Sequence, residues 1–223
     1  MAQMVGKIAQ EYKEDSDLFE QEKAVQKRLF SYADTLDAWA NEVSDVMLKR
    51  VARADYSVWL RVGEKIGSET RRKLNEVTVS PIFYLLQHEQ VELIKSLPLE
   101  AAQKVHEWTQ IGLANGQRYP AIAKRIQTEL GNVTKSRAIT IARTETARTR
   151  SNFTEARAKA IGSTHYRWHT VGDGSVRRSH SELDGKVFSW NDPPITDYGK
   201  GGTPIRSHPG CVFNCRCWAE PIF

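Results

Sequence analysis

The stretch Glu155-Ala156-Arg157-Ala158-Lys159-Ala160-Ile161-Gly162 runs directly into Ser163-Thr164-His165-Tyr166-Arg167-Trp168-His169-Thr170, and the periodicity of the chain changes at Gly162. Before the glycine stand strong helix formers. After it Tyr166, Trp168 and Thr170 alternate with Arg167 and His169, the period of two that a half-buried strand requires. A glycine at the switch suits a helix stop, because it enters the left-handed region without a Cβ penalty. The sequence therefore predicts an α+β protein: a mainly α-helical N-terminal body carrying a small, loop-rich β module at the C-terminus.

Upstream of Gly162 the helix is expected to begin near Ser136. A short helix from Tyr119-Pro120 to Leu130 is expected to stop at Gly131, with Asn132 to Thr134 as a connector. Another runs from about Leu99 to Leu113, separated by Leu97-Pro98 from a helix that opens at Ser80-Pro81 and carries Ile82, Leu85, Leu86, Val91 and Ile94. No proline precedes Pro81, and Leu29, Leu36, Trp39, Val43, Val46 and Val51 recur at helical spacing as one face. Asp15-Ser16-Asp17 offers a cap, and Gly63 and Gly67 weaken any continuous helix through Arg61–Ser68. The change at Ser80-Pro81 divides the chain into an N-terminal helical region, 1–80, and a region 81–223, helical over 81–162 and β-rich over 163–223. Downstream, Gly172-Asp173-Gly174 and Asp184-Gly185 read as turns, Lys186 to Trp190 as a strand, Asp192-Pro193-Pro194 and Gly199 to Pro204 as irregular, and Cys211 to Glu220 as the last strand.

The 223 residues, 40% of them hydrophobic, suffice for one good core or two modest ones. A mean hydropathy of -0.52 and the absence of a long apolar run predict a soluble chain with no membrane span. Met1 to Lys7 lacks the apolar core of a signal peptide. The net charge of +5 is uneven. Met1–Lys49 holds six basic against ten acidic residues, Arg118–Arg167 eleven against three. A positive middle segment attracts polyanions or acidic protein surfaces, or is simply a solvated helix face.

On the helix ending at Gly162, Ile141, Glu145, Arg148 and Asn152 share a face, and Arg143, Arg150 and Arg157 form a stripe at seven-residue spacing. The stripe suits phosphate binding, since guanidinium is a bidentate phosphate partner. Glu145 suits an ion-pair organiser better than a catalyst, because a lone carboxylate lacks an acid–base partner.

All three cysteines fall between Cys211 and Cys217, too clustered and too odd in number for a disulfide framework. On a strand, Cys215 and Cys217 face the same side. With His180 and His208 they would make a Cys₂His₂ set for one structural zinc, Cys211 substituting if His208 points away. A short, turn-rich module gains stability from such a staple. The alternative is that both cysteines are small buried hydrophobes and both histidines ordinary hydrogen-bonding groups. Arg177, His180 and a carboxylate at Asp173 or Asp184 also resemble pieces of a nuclease or transferase site.

The order of the pieces carries more than any one of them: Ala142-Arg143-Thr144-Glu145 with Asn152 downstream, Trp168, Asp173, Val176-Arg177, Ser179-His180, Leu183-Asp184-Gly185, His208-Pro209-Gly210 and Asn214-Cys215-Arg216-Cys217. This series resembles the Mu F-like domain of phage minor head proteins, the head-morphogenesis family, over roughly residues 85–223, a span of ordinary domain size. The resemblance implies a non-enzymatic virion component, present in few copies in the capsid interior near the portal vertex and in the host cytoplasm during assembly. It acts in procapsid assembly and in DNA packaging or ejection. The implied partners are the portal protein, the major capsid or scaffolding protein, and double-stranded DNA contacted without sequence preference; no membrane is involved. Residues 1–80 would dock on the portal or the inner capsid, the long helices offering Trp39, Trp59 and Trp108 as anchors unless each packs in the core, and Arg143, Arg150 and Arg157 would meet DNA. No residue is assigned to catalysis, and Glu145, Arg148, Asn152, Arg177 and Asp184 are expected to form a structural polar network. Some relatives in the family carry fused toxin domains; the sequence ends at Phe223, just after the signature, and none is expected here. The chain is short for the family, which predicts that part of an N-terminal extension is missing. Two other functions stay open: a metal-dependent phosphodiesterase or transferase centred on His180 with Arg177 and Glu145, and a free-standing DNA-binding module.

Overall fold

The computed structural model describes residues 1–11, 17–66, 69, 72–73 and 80–223. The fold is α+β, with a helical body and small antiparallel sheets near the C-terminus. The helices are α1 (Ala2–Gln10), α2 (Leu18–Asp34), α3 (Asp37–Ile66), α4 (Ser80–Ala114) and α5 (Tyr119–Ala160). The strands are β1 (His165–His169), β2 (Val187–Ser189), β3 (Ile195–Tyr198), β4 (Pro204–Arg206) and β5 (Trp218–Ile222), and a single turn, α6 (Arg178–Ser181), lies between β1 and β2. Among the described residues no helix is long and apolar enough to cross a membrane. The chain separates into two compact units, Met1–Ser44 with His88–Ile141, and Asp45–Gln87 with Ala142–Phe223.

In the first unit Asp17 caps α2, its carboxylate accepting the Phe19 N–H at 2.9 Å; Asp15 and Ser16 lie outside the described residues. Val5, Ile8, Val25, Leu29, Val105, Trp108, Ile122, Ile126 and Leu130 form one buried cluster. Two breaks expected from the sequence do not occur. Pro98 sits inside α4. A proline there costs about 3 kcal/mol, and the burial of Leu97 just before it and Ala101, Ala102 and Val105 just after it outweighs that cost.

Gly131 likewise lies within α5. Its role is close packing: a Cβ there would lie 3.4 Å from Gly6 Cα and 3.6 Å from the Ala2 carbonyl oxygen. Alanine fits at van der Waals contact, whereas a larger side chain forces α1 away. Gly131→Leu is therefore expected to lower stability by about 1–3 kcal/mol, and Gly131→Ala to leave it unchanged or raised, as measured by urea unfolding.

The apolar face read through α2 and α3 also needs correction. The helix breaks at Thr35-Leu36, and the face that α3 buries is Ala40, Ser44 and Leu48. The Ser44 hydroxyl donates to Gln90 Oε1 at 2.8 Å. Trp39, Val43 and Val46 consequently lie on the exposed side, while Trp59 and Trp108 are core. Gly63 lies within α3, which extends to Ile66; Gly67 and Ser68 lie outside the described residues.

The second unit packs Leu48, Leu86 and Phe153 into one cluster, and Trp59, Ala158, Tyr166, Trp168, Trp190, Cys215 and Cys217 into another. Gly162 takes φ 95° just after α5, as the change of periodicity requires. β1 then pairs antiparallel with β2 and with β5, giving the order β2-β1-β5 and placing Tyr166 and Trp168 on the buried face. A second antiparallel pair, β3 with β4, lies between and just after the two stretches expected to be irregular, overlapping them only at Pro204. The last strand begins only at Trp218. Cys211 to Cys217 is a series of turns instead, and Asn214 there holds φ 54°, a conformation that Asn tolerates and most residues do not.

Candidate metal centre in the C-terminal module

The turns after β4 are fixed from three sides. The Asn214 N–H donates to Thr144 Oγ1 on α5 at 2.9 Å. Gly210, at φ 88°, passes so close to α5 that a Cβ would meet the carbonyl oxygens of Ala147 and Cys217 at 3.2 Å each. Arg216 forms a bidentate pair with Asp173, both bonds 2.7 Å, which ties the signature to the turn after β1. These constraints turn both thiols inward: Cys215 is 4% and Cys217 7% exposed.

There they meet His180, carried on α6 and 2% exposed. Its Nδ1 lies 3.4 Å from Cys215 Sγ and 3.5 Å from Cys217 Sγ. Its Nε2 faces Asp197 Oδ2 at 3.4 Å. The Trp168 ring meets the imidazole edge-on, 5.5 Å between centroids. The three donor atoms lie within 4.8 Å of one another, so the cluster could hold a metal ion. Zn–S bonds of about 2.3 Å and a Zn–N bond of about 2.0–2.1 Å at the tetrahedral angle separate N from S by about 3.6 Å, close to both observed distances.

The electrostatics favour the ligating form of Cys215 and oppose that of Cys217 and His180. Hydrogen bonds from Cys217, and next from His180, draw the Cys215 thiol down to about 4 against the opposing effect of burial. Cys217 is pushed up, first by its bond to Cys215 and then by burial. His180 is raised chiefly by Cys215. A thiolate is the metal-binding form of cysteine, and a metal would displace the remaining protons.

His208 does not join this cluster. Its Nδ1 faces the Tyr166 hydroxyl at 3.1 Å and its Nε2 faces Glu155 at 3.7 Å. Burial lowers its pKa. Cys211, the expected substitute, also lies outside the cluster, and burial pushes its thiol up. The carboxylate beside His180 is Asp197, neither Asp173 nor Asp184. Asp197 was unmarked in the sequence because its stretch carries prolines and no clear period; only its position in β3 brings it to the imidazole.

Of the other expected residues, Glu145, Arg148 and Asn152 stay together on α5, and Arg177 and Asp184 bond to other groups. Glu145 is buried, with Arg148 Nη1 4.0 Å away, and the Asn152 amide donates to the Arg148 carbonyl at 3.0 Å. Arg177 instead donates to the Phe213 carbonyl at 2.7 Å and approaches Asp197 at 3.8 Å, while Asp184 accepts the Thr170 N–H at 2.7 Å. Arg143 and Arg150 are exposed on α5. Arg157 leaves that stripe: it is buried, its Nε donates to Asp55 Oδ2 at 2.7 Å, and its guanidinium lies over the Tyr56 ring.

Residues 103–220 match a protein family described as Phage Mu protein F like protein. An uncharacterized protein of Haemophilus influenzae is 31% identical over 175 residues, 78% of this chain and 34% of its own length. The NAD(+)--arginine ADP-ribosyltransferase EFV of Enterococcus faecalis is 33% identical over 123 residues, 53% of this chain and 25% of that protein. The minor head protein GP7 of Bacillus phage SPP1 is 28% identical over 151 residues, 64% of this chain and 45% of that protein. The chain thus spans less than half the length of each of these relatives. No solved structure matches it significantly.

Proposed function

This chain belongs to the Phage Mu protein F like family, and on that premise we propose that it is a minor head protein acting in phage head morphogenesis. The match over residues 103–220, which takes in α5 and the whole cysteine signature, carries this proposal. The similarity to a protein described as a minor head protein agrees with it. The site of action is the portal vertex inside the capsid, reached from the host cytoplasm during assembly, with the portal and the major capsid or scaffolding protein as partners. Residues 1–80 provide the docking region, and Trp39, Val43 and Val46 expose apolar surface there. Co-expression with the portal protein tests this: the chain is expected to co-purify with portal rings, and a variant lacking residues 1–80 is expected not to. Full-length chain that elutes free of the ring contradicts the docking role.

DNA contact, in packaging or ejection, is assigned to the exposed Arg143 and Arg150, with Arg157 withdrawn by its burial. Binding through phosphates alone is sequence-independent and weakens steeply with salt. The double variant Arg143→Ala/Arg150→Ala is expected to reduce the salt slope of DNA binding by about two. An unchanged slope contradicts the assignment.

The C-terminal module has a structural task in this scheme. A zinc ion held by His180, Cys215 and Cys217 fastens α6 to the turns before β5. The two N···S distances support this reading. Protein purified without chelator is expected to contain one zinc per chain, and a content far below that overturns it. A phosphodiesterase or transferase centred on His180 finds less support, because both ring nitrogens already face protein groups.

A further inference from the structure

A structural zinc closes its tetrahedron with four protein ligands, whereas a site with three keeps one position for an exchangeable donor. Three donors converge here, and among the described residues no fourth histidine, cysteine or carboxylate atom lies within the same 4.8 Å span. Neither residue that could close the set joins it: His208 Nδ1 faces the Tyr166 hydroxyl at 3.1 Å, and Cys211 lies outside the cluster.

His180, Cys215 and Cys217 instead border a cleft of about 80 Å³ that opens to solvent between Val171, Val176, Arg177 and Arg216. A water needs only about 10–15 Å³ of such volume, so the cleft has room for solvent or a small polyatomic donor. Two guanidinium groups line it, Arg216 paired with Asp173 and Arg177 3.8 Å from Asp197, so the lining suits solvent or a small anion. On the far side of the ring Asp197 accepts from Nε2, the outer carboxylate that fixes the tautomer and orientation of a metal-bound histidine, and Arg177 stands 3.8 Å from that carboxylate.

We propose that the centre is an open, three-ligand metal site whose fourth position takes a small monodentate anion or solvent through this cleft, with Asp197 as the residue that positions His180. This rests on the zinc reading above, and one experiment separates the two. The full-length chain is loaded with cobalt(II) under a phosphine reductant, and its sulfur-to-cobalt charge-transfer and visible d–d bands are followed while azide is added. The expected result is a charge-transfer band at one cobalt per chain and a saturable shift of the d–d bands with azide. Both are expected to persist in His208→Ala and in Cys211→Ser. Asp197→Asn is expected to weaken cobalt binding about 10–100-fold while keeping the azide response. If cobalt binds with the charge-transfer band but azide moves nothing, and His208→Ala or Cys211→Ser alters the spectrum, the site is closed: the open position is overturned and the metal reading stands. If wild-type protein develops no charge-transfer band and matches Cys215→Ser, both are overturned.

Discussion

Cys215→Ser is expected to release the zinc and lower the melting temperature, Cys217→Ser to do the same, and Cys211→Ser to do much less. The first two thiols both face His180 Nδ1, and Cys211 lies outside that cluster. Serine is a poor zinc ligand at neutral pH, so metal affinity falls by orders of magnitude. The module that loses it is small, and its core cluster contains the two cysteines themselves. Metal binding energy in small zinc domains is folding energy, on the order of 10 kcal/mol in peptides. A loss of even about 3 kcal/mol lowers Tm by roughly 6–12 °C in a chain of this length. Differential scanning calorimetry with and without added zinc checks this. Equal effects of the three substitutions, or a wild-type Tm that ignores zinc and chelator, contradict the ligand set.

The second large effect lies far from the cysteines. Arg157→Met or Asp55→Leu alone is expected to destabilise the second unit by about 3–5 kcal/mol, and the pair of changes together to recover most of that loss. Asp55 and Arg157 are 4% and 5% exposed and are joined at 2.7 Å. Burial pushes the Asp55 carboxyl up, and its bond to Arg157 pulls against that. Thr154 Oγ1 lies 3.3 Å from the carboxylate. Removing one partner leaves a desolvated charge, whereas an apolar pair of similar volume leaves none. A urea-unfolding double-mutant cycle measures the coupling, and strictly additive losses contradict it.

The change of period at Gly162 reveals the α+β architecture from sequence alone because both sides of it are local: alanine-rich helix formers before, alternating aromatics after. The order of motifs from Ala142 to Cys217 likewise points to the family. The misplaced boundaries share a cause. Gly131 looks like a helix stop until Gly6, more than a hundred residues earlier, is known to pack on it. Pro98 looks like a break until the burial on both sides of it is counted. The strand expected over Cys211–Glu220 starts late because Asn214 takes a left-handed conformation to reach Thr144, a contact 70 residues apart in sequence.

The candidate site was legible to the extent that chemistry marks residue types. His180, Cys215 and Cys217 stand out and do converge. His208 stands out as strongly and faces Tyr166, because the direction of a side chain leaving an irregular loop has no signature in spacing. Asp197 carries no mark at all, and only the pairing of β3 with β4 places it beside the imidazole.

The proposed role of a minor head protein at the portal vertex is tested most directly by an asymmetric reconstruction of procapsids assembled with the chain, compared with procapsids assembled without it. Added density is expected inside the shell against the portal ring, lost when residues 1–80 are deleted. Procapsids that contain no copy of the chain, or copies spread over the shell with none at the portal, would contradict it.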